Sequence, residues 1–487
     1  MVQNTLIQIR QIARAGDTLR AWRMFETAGW RNSDLPEVLS LKGRLLKDRA
    51  LRTTGDERKA LLDEARRAYL QSAGDRQATY PVINAATIAL LAEDEATAQE
   101  LARSVLAMLD SGAHEPETRY WLGATAAEAH LLLGNAQASR ADLAGAMTAA
   151  PQAWEDHAAT LRQFRQILRA RGQDEGLFDD FSPPPSLHFS GIIHLGDTEA
   201  EARKQVARVL KDARPGAIFG ALAAGVDILV AELGVDQGAQ LNVVLPCGSD
   251  AFRAVSVEPF GGDWGARFDR LLALAEGVET VQTDLPLSAA SIALASQVAM
   301  GLALRRAHAL ATTAISLRVA RACDVVMTPE SQWRAQGLAH EDIVLDMPAP
   351  PSGDGLAEAE PLVIVACTRP FPAQVPAAAR TGQADENMHF AGFDDPVAAA
   401  AFASSILSTA PDAQIGLDLD CHAPGQPLEA IAALAMMLSR AAPPGTIYAP
   451  WPRIAALDLL APQYRFENVG EVMTPVGDLP VARFSFT

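Results

Sequence analysis

Turn signals recur along the first third of the chain at a nearly fixed interval: Gly16 in AGDTLRAW, Gly55 in TGDERKAL, Asp94 in AEDEATAQ and Gly134 in LGNAQASR, spaced 39, 39 and 40 residues apart. The sequence between them is almost all helix-forming, so each turn is flanked by two helices. A period of that size specifies a solenoid of helical hairpins, in which each repeat buries its apolar face only by stacking on the next. The interval exceeds the roughly 34 residues of an ordinary tetratricopeptide repeat, so the helices or their connections must be extended. Residues 1–172 are read as this solenoid, with residues 152–171, QAWEDHAATLRQFRQILRAR, as its capping helix.

Two first helices of these hairpins carry one unusual pattern. YPVINAAT gives Tyr80, Asn84 and Thr87, and WLGATAAE gives Trp121, Thr125 and Glu128, both spaced 0, 4, 7. That spacing puts each trio on one helical face, and the 41-residue offset between them matches the repeat, so the two faces should be neighbours. First helices of such arrays line the concave surface. A ring beside amide, hydroxyl and carboxylate groups suits a small ligand or a peptide. The competing reading is repeat packing, with Tyr80 and Trp121 wedged between hairpins and Asn84 and Thr125 bonding across helices to hold the register.

At 487 residues the chain should hold two to four domains, and 49% hydrophobic with 21% charged residues is the balance of a globular protein. The net charge of −18 lies mostly in the later part: residues 1–181 hold 22 basic and 25 acidic side chains, residues 182–487 hold 19 and 34. That excess repels phosphate backbones, so no nucleic-acid partner is expected. The last lysine is Lys211, which removes a Schiff-base lysine from everything beyond it. A G-x-x-x-x-G-K-[ST] loop is absent from the sequence, and with it P-loop ATPase chemistry. Cys247, Cys323, Cys367 and Cys421 never form a C-x-x-C pair, and the nine histidines are scattered, so neither a disulfide framework nor a metal site is expected. No run of eighteen apolar residues occurs, and the opening MVQNTLIQIRQIARAG lacks the apolar block of a signal peptide. A cytoplasmic protein without membrane contact or cofactor is expected.

After a linker at 173–187 with three consecutive prolines, a new pattern covers 188–346: LHFSGIIHL reads as a strand, 197–213 as a helix, AIFGALAAGVDILVAELGVDQG as a glycine-led helix and QLNVVLPC as a second buried strand. Such alternation specifies a Rossmann-like parallel sheet with helices on both faces, where ligands bind at the carboxyl ends of strands and at helix N-termini. The candidates are Ser190 and Gly191 after the first strand, Gly216 and Gly220 before the helix, Asp227 and Glu232 on it, and Pro246 after the second strand. The plain alternative is that the glycines are turns and the two acids solvated helix residues.

A second linker, 347–360, leads into 361–487, read as strand (361–368), helix (394–408), strand (414–420), helix (426–441), the segment PPGTIYAPW and a terminal strand pair: a ferredoxin-like α+β sheet. The fold class expected is therefore multidomain, with an all-α solenoid, an α/β parallel sheet and an α+β sheet in that order.

Three stretches resemble known families. Residues 79–150, through TYPxxNAAT and YWxxATxxEAxLLLG, are similar to the tetratricopeptide-repeat sensor domain of bacterial signalling and defence proteins, related to the regulatory region of ASK-type kinases. That resemblance implies sensing of a small signal or a partner. The middle segment, through FSG, GALAAGVDILVAELGVDQGAQLNVVLP, FRAVSV and DWGARFDRLL, resembles the SLOG and nucleoside-deoxyribosyl-hydrolase groups, which bind or process nucleotides. Where relatives lead from the first strand into glycine, histidine and arginine, this chain has Gly191, Ile192 and Ile193; where they place an acidic, glycine-rich loop after the strand matching AISLRVA, it passes into RACDVV. Both departures remove polar groups from the pocket that the resemblance implies.

The third segment, through IGLDLDCHAPG and PPGTIYAPW to LPVARFSF, resembles a class III nucleotidyl cyclase domain. That chemistry needs two aspartates on two magnesium ions and an asparagine–arginine pair for the transition state. Carried over, the first aspartate falls at Ala366, the second near Asn387, and the pair at Ala433 and Met437. The resemblance thus implies a cyclase fold without its catalysis, one that dimerises with itself or pairs with another cyclase-like domain.

The expected function is a non-catalytic sensor that binds a small, nucleotide-related ligand or a protein partner through the solenoid and the middle module. The alternatives are a hydrolase of nucleotides or N-glycosidic bonds, with Asp227 or Glu232 of the middle domain as its acid, and a solenoid adaptor for a protein partner.

Overall fold

Helix termini leave backbone groups unpaired, so a chain of hairpins needs a stop and a start at every turn. This one uses the same device three times in the computed structural model, which describes residues 2–14, 18–282, 285–347, 356–371, 375–377, 379–474 and 477–485. Glu93, Gly134 and Gly172 sit at positive φ, their N–H groups bonded to Leu90, Leu131 and Arg169. The next residues, Asp94, Asn135 and Gln173, bond back to Ala89, His130 and Leu168 at 2.9 Å each. The first two then turn their side chains onto Thr97 N and Ala138 N to start the following helix.

The resulting helices are α1 (Val2–Arg14), α2 (Thr18–Thr27), α3 (Pro36–Ala50), α4 (Gly55–Ala73), α5 (Thr79–Leu91), α6 (Glu95–Ser111), α7 (Arg119–Leu132), α8 (Ala136–Ala149) and α9 (Trp154–Ala170). The expected turns at Gly55, Asp94 and Gly134 fall within hairpins, where the first helices α3, α5 and α7 give way to the second helices α4, α6 and α8; Gly16 lies outside the described residues. α9 packs against α5 and α7, two first helices, through Leu161, Phe164, Ile167 and Leu168. Part of the expected linker packs as well: a short 3-10 segment, Glu175–Phe181, buries Phe178 in the same cluster and pairs Asp180 with Arg140 at 2.6 Å.

The chain divides into two compact units, Met1–Pro183 and Pro184–Thr487. The second opens with β1 (Ser186–Gly191), α10 (Glu199–Ala213), β2 (Ala217–Gly220), α11 (Val226–Asp236), β3 (Gln240–Leu245), α12 (Ser249–Ser256), α13 (Trp264–Leu274), β4 (Gly277–Thr280), α14 (Ala289–Ala309), β5 (Ala314–Arg321), α15 (Thr328–Ala335) and β6 (Ala339–Leu345). Its six strands are parallel in the order β4-β3-β2-β1-β5-β6. The segment expected as one glycine-led helix is corrected here: AIFG is a fully buried strand, β2, and the helix starts only at Val226.

The remainder adds β7 (Glu360–Cys367), β8 (Arg380–Asp385), β9 (Met388–Phe393), α16 (Pro396–Thr409), β10 (Gln414–His422), α17 (Leu428–Ile431), α18 (Ala433–Ala441), β11 (Thr446–Pro450), α19 (Ala456–Leu460), β12 (Arg465–Thr474) and β13 (Gly477–Ser485). These make a mixed seven-stranded sheet, β12-β13-β11-β10-β7-β9-β8. The β8–β9 hairpin is an addition to the sequence reading.

One helix serves both sheets. α14 carries Leu294, Ala295, Val298, Ala299 and Ala303 into a single cluster that holds Phe219 and Val244 from the parallel sheet and Val365, Leu417 and Ile447 from the mixed one. The approach is closest at Gly301, where an added Cβ would lie 1.8 Å from the Ala455 carbonyl oxygen. Gly301→Ala is therefore expected to destabilise the second unit by about 1–3 kcal/mol or more through overpacking. Gly145→Ala on α8, where nothing lies within 4 Å, should be neutral or stabilising by up to ~1 kcal/mol. Chemical denaturation of the two variants measures the contrast.

Candidate binding site

The 0, 4, 7 faces of α5 and α7 meet as the repeat predicts, and α3 supplies a third. Ser40, Arg44 and Lys47 stand one repeat before Tyr80, Asn84 and Thr87, at the same spacing. By repeat equivalence the positions form three rungs on three first helices: Ser40–Tyr80–Trp121, Arg44–Asn84–Thr125 and Lys47–Thr87–Glu128, the third joined by hydrogen bonds. The offset of 40 residues was readable in the sequence, but α3 lacks an aromatic at the first position and so gave no signal.

The third rung is sealed. Thr87 Oγ1 donates to Glu128 Oε1 at 2.6 Å, Gln163 Nε2 of α9 donates to the same oxygen at 2.9 Å, and Lys47 Nζ donates to Gln163 Oε1 at 2.9 Å. Burial pushes the Glu128 carboxyl up, against the opposing pull of Thr87, Gln163 and Lys47, and pushes the Lys47 ammonium down, against Asp48 and Glu128. Thr87 and Glu128 thus behave as the packing reading expects.

The first rung is open: Tyr80 is 44% exposed and Trp121 half-buried, each set edge-on to a neighbouring ring, Tyr69 at 6.2 Å and Tyr120 at 5.1 Å. On the second rung Asn84 is half-buried, donating to the Tyr80 carbonyl at 2.9 Å, and Thr125 is buried. The six expected residues therefore divide, with the N-terminal ends of the two helices facing outward and the C-terminal ends locked under α9.

In the middle sheet the strand order reverses between β1 and β5, and a ligand would be sought at the carboxyl ends there. Ser190 lies at that point and donates to Glu330 Oε1 of α15 at 3.2 Å. Glu330, buried, was not singled out from sequence, since its TPE context reads only as a helix start. The glycines open no space. A Cβ on Gly191 would meet Val226 at 2.4 Å, and one on Gly220 would meet the Phe189 ring at 2.6 Å. Gly216 precedes β2 at the opposite, amino end of the sheet, against Pro184 and Arg306. Pro246 is buried after β3, the third strand rather than the second.

Asp227 and Glu232, five residues apart, point to different sides of α11. The loop after β1 pairs with the loop before α11 through His194 N to Ala224 O and Val226 N to Ile192 O, and Asp227 is buried beneath, accepting Ala223 N at 3.2 Å. Burial raises its pKa to about 7. Glu232 is held by Arg267 at 2.8 Å, Arg270 at 2.7 Å and Arg203 at 3.3 Å. Burial would raise its carboxyl, but these guanidiniums outweigh it and hold the pKa below the ordinary value, the wrong direction for a general acid. A cavity of about 300 Å³ does occur in this unit, lined by Phe219, Asn242, Glu279, Leu302, Arg305 and Arg306, but it opens at the amino ends of β3 and β4 and contains neither acid.

In the mixed sheet, Ala366 is fully buried on β7 among Phe390, Ala435 and Met436. Asn387 lies in the β8–β9 turn with its N–H on Asp385, which Arg440 pairs at 3.1 Å. Ala433 starts α18, and Met437 lies on it. The acids here are structural: buried Asp418 and half-buried Asp420 share Arg453 at 3.2 Å each, and Gln282 donates to Asp420 at 2.8 Å. These positions do not fit a two-metal site, and among the described residues no group of histidine, cysteine, aspartate and glutamate has the geometry to hold an ion. No described helix is long and apolar enough to cross a membrane.

Residues 1–91 match the family Tetratricopeptide Repeats-Sensor. No curated protein matches the chain. Among solved structures, an adenylate/guanylate cyclase/hydrolase from Silicibacter pomeroyi is similar over 26% of this chain and 98% of that one, at 14% identity and a TM-score of 0.23.

Two outcomes follow from this geometry. Glu128→Ala leaves Thr87 and Gln163 without their buried acceptor and should destabilise the solenoid by about 1–3 kcal/mol, whereas Asn84→Ala should stay within about 0.5 kcal/mol; the unfolding transition of the solenoid measures both. Asp227 has a folded pKa above its unfolded one, so its contribution to stability is fully present below about pH 4. It is lost as pH rises toward about 7. Asp227→Asn should flatten the fall in melting temperature across that window and raise it at pH 8.

Proposed function

We propose that this chain is a sensor that binds without catalysing. The observation that carries the reading is the split inner face of the solenoid, with rings and polar groups of α5 and α7 presented outward above a sealed, hydrogen-bonded floor. The match of residues 1–91 to a repeat-sensor family supports it. Tyr80, Asn84 and Trp121 are the contacts, with Thr125 buried and Thr87 and Glu128 holding the helices in register. The ligand is a small, nucleotide-related molecule or a segment of a protein partner.

The middle sheet serves in this reading as a second, nucleotide-site-like module around Ser190 and Gly191. The mixed sheet serves as a cyclase-like module that pairs with a second copy or with another such domain. Both faces of that sheet are covered within the chain, by α14 and α16 on one side and α18 on the other, so pairing would use its edges, β8 and β12. The hydrolase alternative loses support from the burial of Asp227 and the three arginines on Glu232.

The purified chain given ATP or GTP with magnesium or manganese is expected to release neither cyclic nucleotide nor free base. Either product above a heat-inactivated control would overturn the non-catalytic reading.

A further inference from the structure

The cavity in the second unit lies between the last turns of α14 and the edge of the parallel sheet. Leu302, Arg305, Arg306 and Ala309 form its helical wall. The facing wall is one face of β2, β3 and β4, where Phe219 pairs in register with Asn242, Asn242 with Gly277 and Val244 with Glu279. Residues two apart on a strand share a face, so Asn242, Gly277 and Glu279 all turn toward α14. Gly277 supplies no side chain. A Cβ there would have only Asn242 Oδ1 within 4 Å, at 3.7 Å, so the space beside it stays open. The volume, about 300 Å³, is at the lower end for a small-molecule pocket.

The arginines of the lining are directed elsewhere. Arg305 gives Nε and Nη2 to Asp458, at 3.0 and 2.6 Å, and lies over the Trp451 ring. Arg306 donates to the Pro184 carbonyl at 3.3 Å and to Ser186 Oγ at 3.2 Å. Asn242 turns its amide N–H to the Gln240 carbonyl at 3.4 Å and its Oδ1 toward Gly277. Glu279 is half-buried in the same wall and has no hydrogen bond or ion pair with a described residue. Burial alone pushes its carboxyl up, with neither arginine opposing the shift. A carboxylate drawn out of water and left unpaired is relieved by any donor that enters beside it. The cavity therefore presents two acceptors, Asn242 Oδ1 and the Glu279 carboxylate, next to apolar surface from Phe219, Leu302 and Ala309.

We propose that this cavity binds a small primary amine with an apolar body, its ammonium donating to Glu279 and Asn242 and its body lying against Phe219, Leu302 and Ala309. The site is separate from the inner face of the solenoid and from the carboxyl ends of the strands, so its fate is independent of the binding role proposed above.

The test is isothermal titration of the purified chain with three probes that share a ring and differ in head group: phenethylamine, 2-phenylethanol and phenylacetate. Phenethylamine should bind about tenfold or more tightly than the alcohol, as a charge-assisted hydrogen bond predicts, and phenylacetate more weakly than either. Glu279→Gln should lower amine affinity about tenfold or more, leave the alcohol unchanged and melt no lower than wild type, since it removes a desolvated carboxylate. Gly277→Leu, which fills the cavity from a position with room for a Cβ, should abolish binding of both while the chain still melts cooperatively. Equal binding of amine and alcohol, or unchanged amine affinity in Glu279→Gln, would overturn the assignment of the ammonium to Glu279. Tighter binding of phenylacetate would give the cavity to its arginines instead and overturn the proposal, as would the binding of no probe or amine binding that survives in Gly277→Leu.

Discussion

A carboxylate buried where helices meet must be hydrogen-bonded on arrival, and Glu128 meets that demand with donors from two other helices. Thr87 comes from the preceding repeat and Gln163 from the capping helix, which in turn holds Lys47 two repeats back. Ridge-and-groove packing alone would let neighbouring hairpins slide by a turn at modest cost. A single oxygen accepting from two directions does not, because a shift by one turn leaves a buried acceptor and two buried donors unpaired. The solenoid's register depends on this one group.

The second unit solves the same problem with arginine. Beyond Lys211 it is the only strong cation in the sequence, and its planar fork suits shared and buried pairs better than a lysine ammonium. Arg453 spans Asp418 and Asp420, Arg305 holds Asp458 at 2.6 Å while lying 4.0 Å over the Trp451 ring, and Glu232 collects three guanidiniums. Acids that look like catalytic candidates in a sequence are here the anchors of structural arginines. Asp227 differs, since no described cation pairs with it and burial raises its pKa to about 7.

The period of the solenoid was legible because its turn chemistry repeats. Glycine, aspartate and asparagine suit those few positions, whatever the rest of the helix does, although Glu93 takes the positive-φ place in one turn. The rungs were legible where a ring marked them and not on α3, where serine takes that place. β2 was misread because AIFG runs directly into another apolar stretch, and a short apolar run does not distinguish a buried strand from a buried helix. The β8–β9 hairpin was missed for the opposite reason: RTGQAD is an exposed edge strand with almost no apolar alternation. Gly191 and Gly220 looked like a ligand's clearance, whereas Val226 and Phe189 use it; one sequence does not show which neighbour a missing side chain admits.

The position of α14 has a mechanical consequence for the two sheets it joins. Its apolar residues face both, and the Gly301 contact allows no slack between helix and backbone. The sheets cannot hinge apart without opening a core to water, so they move as one body. The peptide linkage between β6 and β7 is then redundant for holding them together: two fragments divided there would be expected to reassemble, each carrying half of a shared interior.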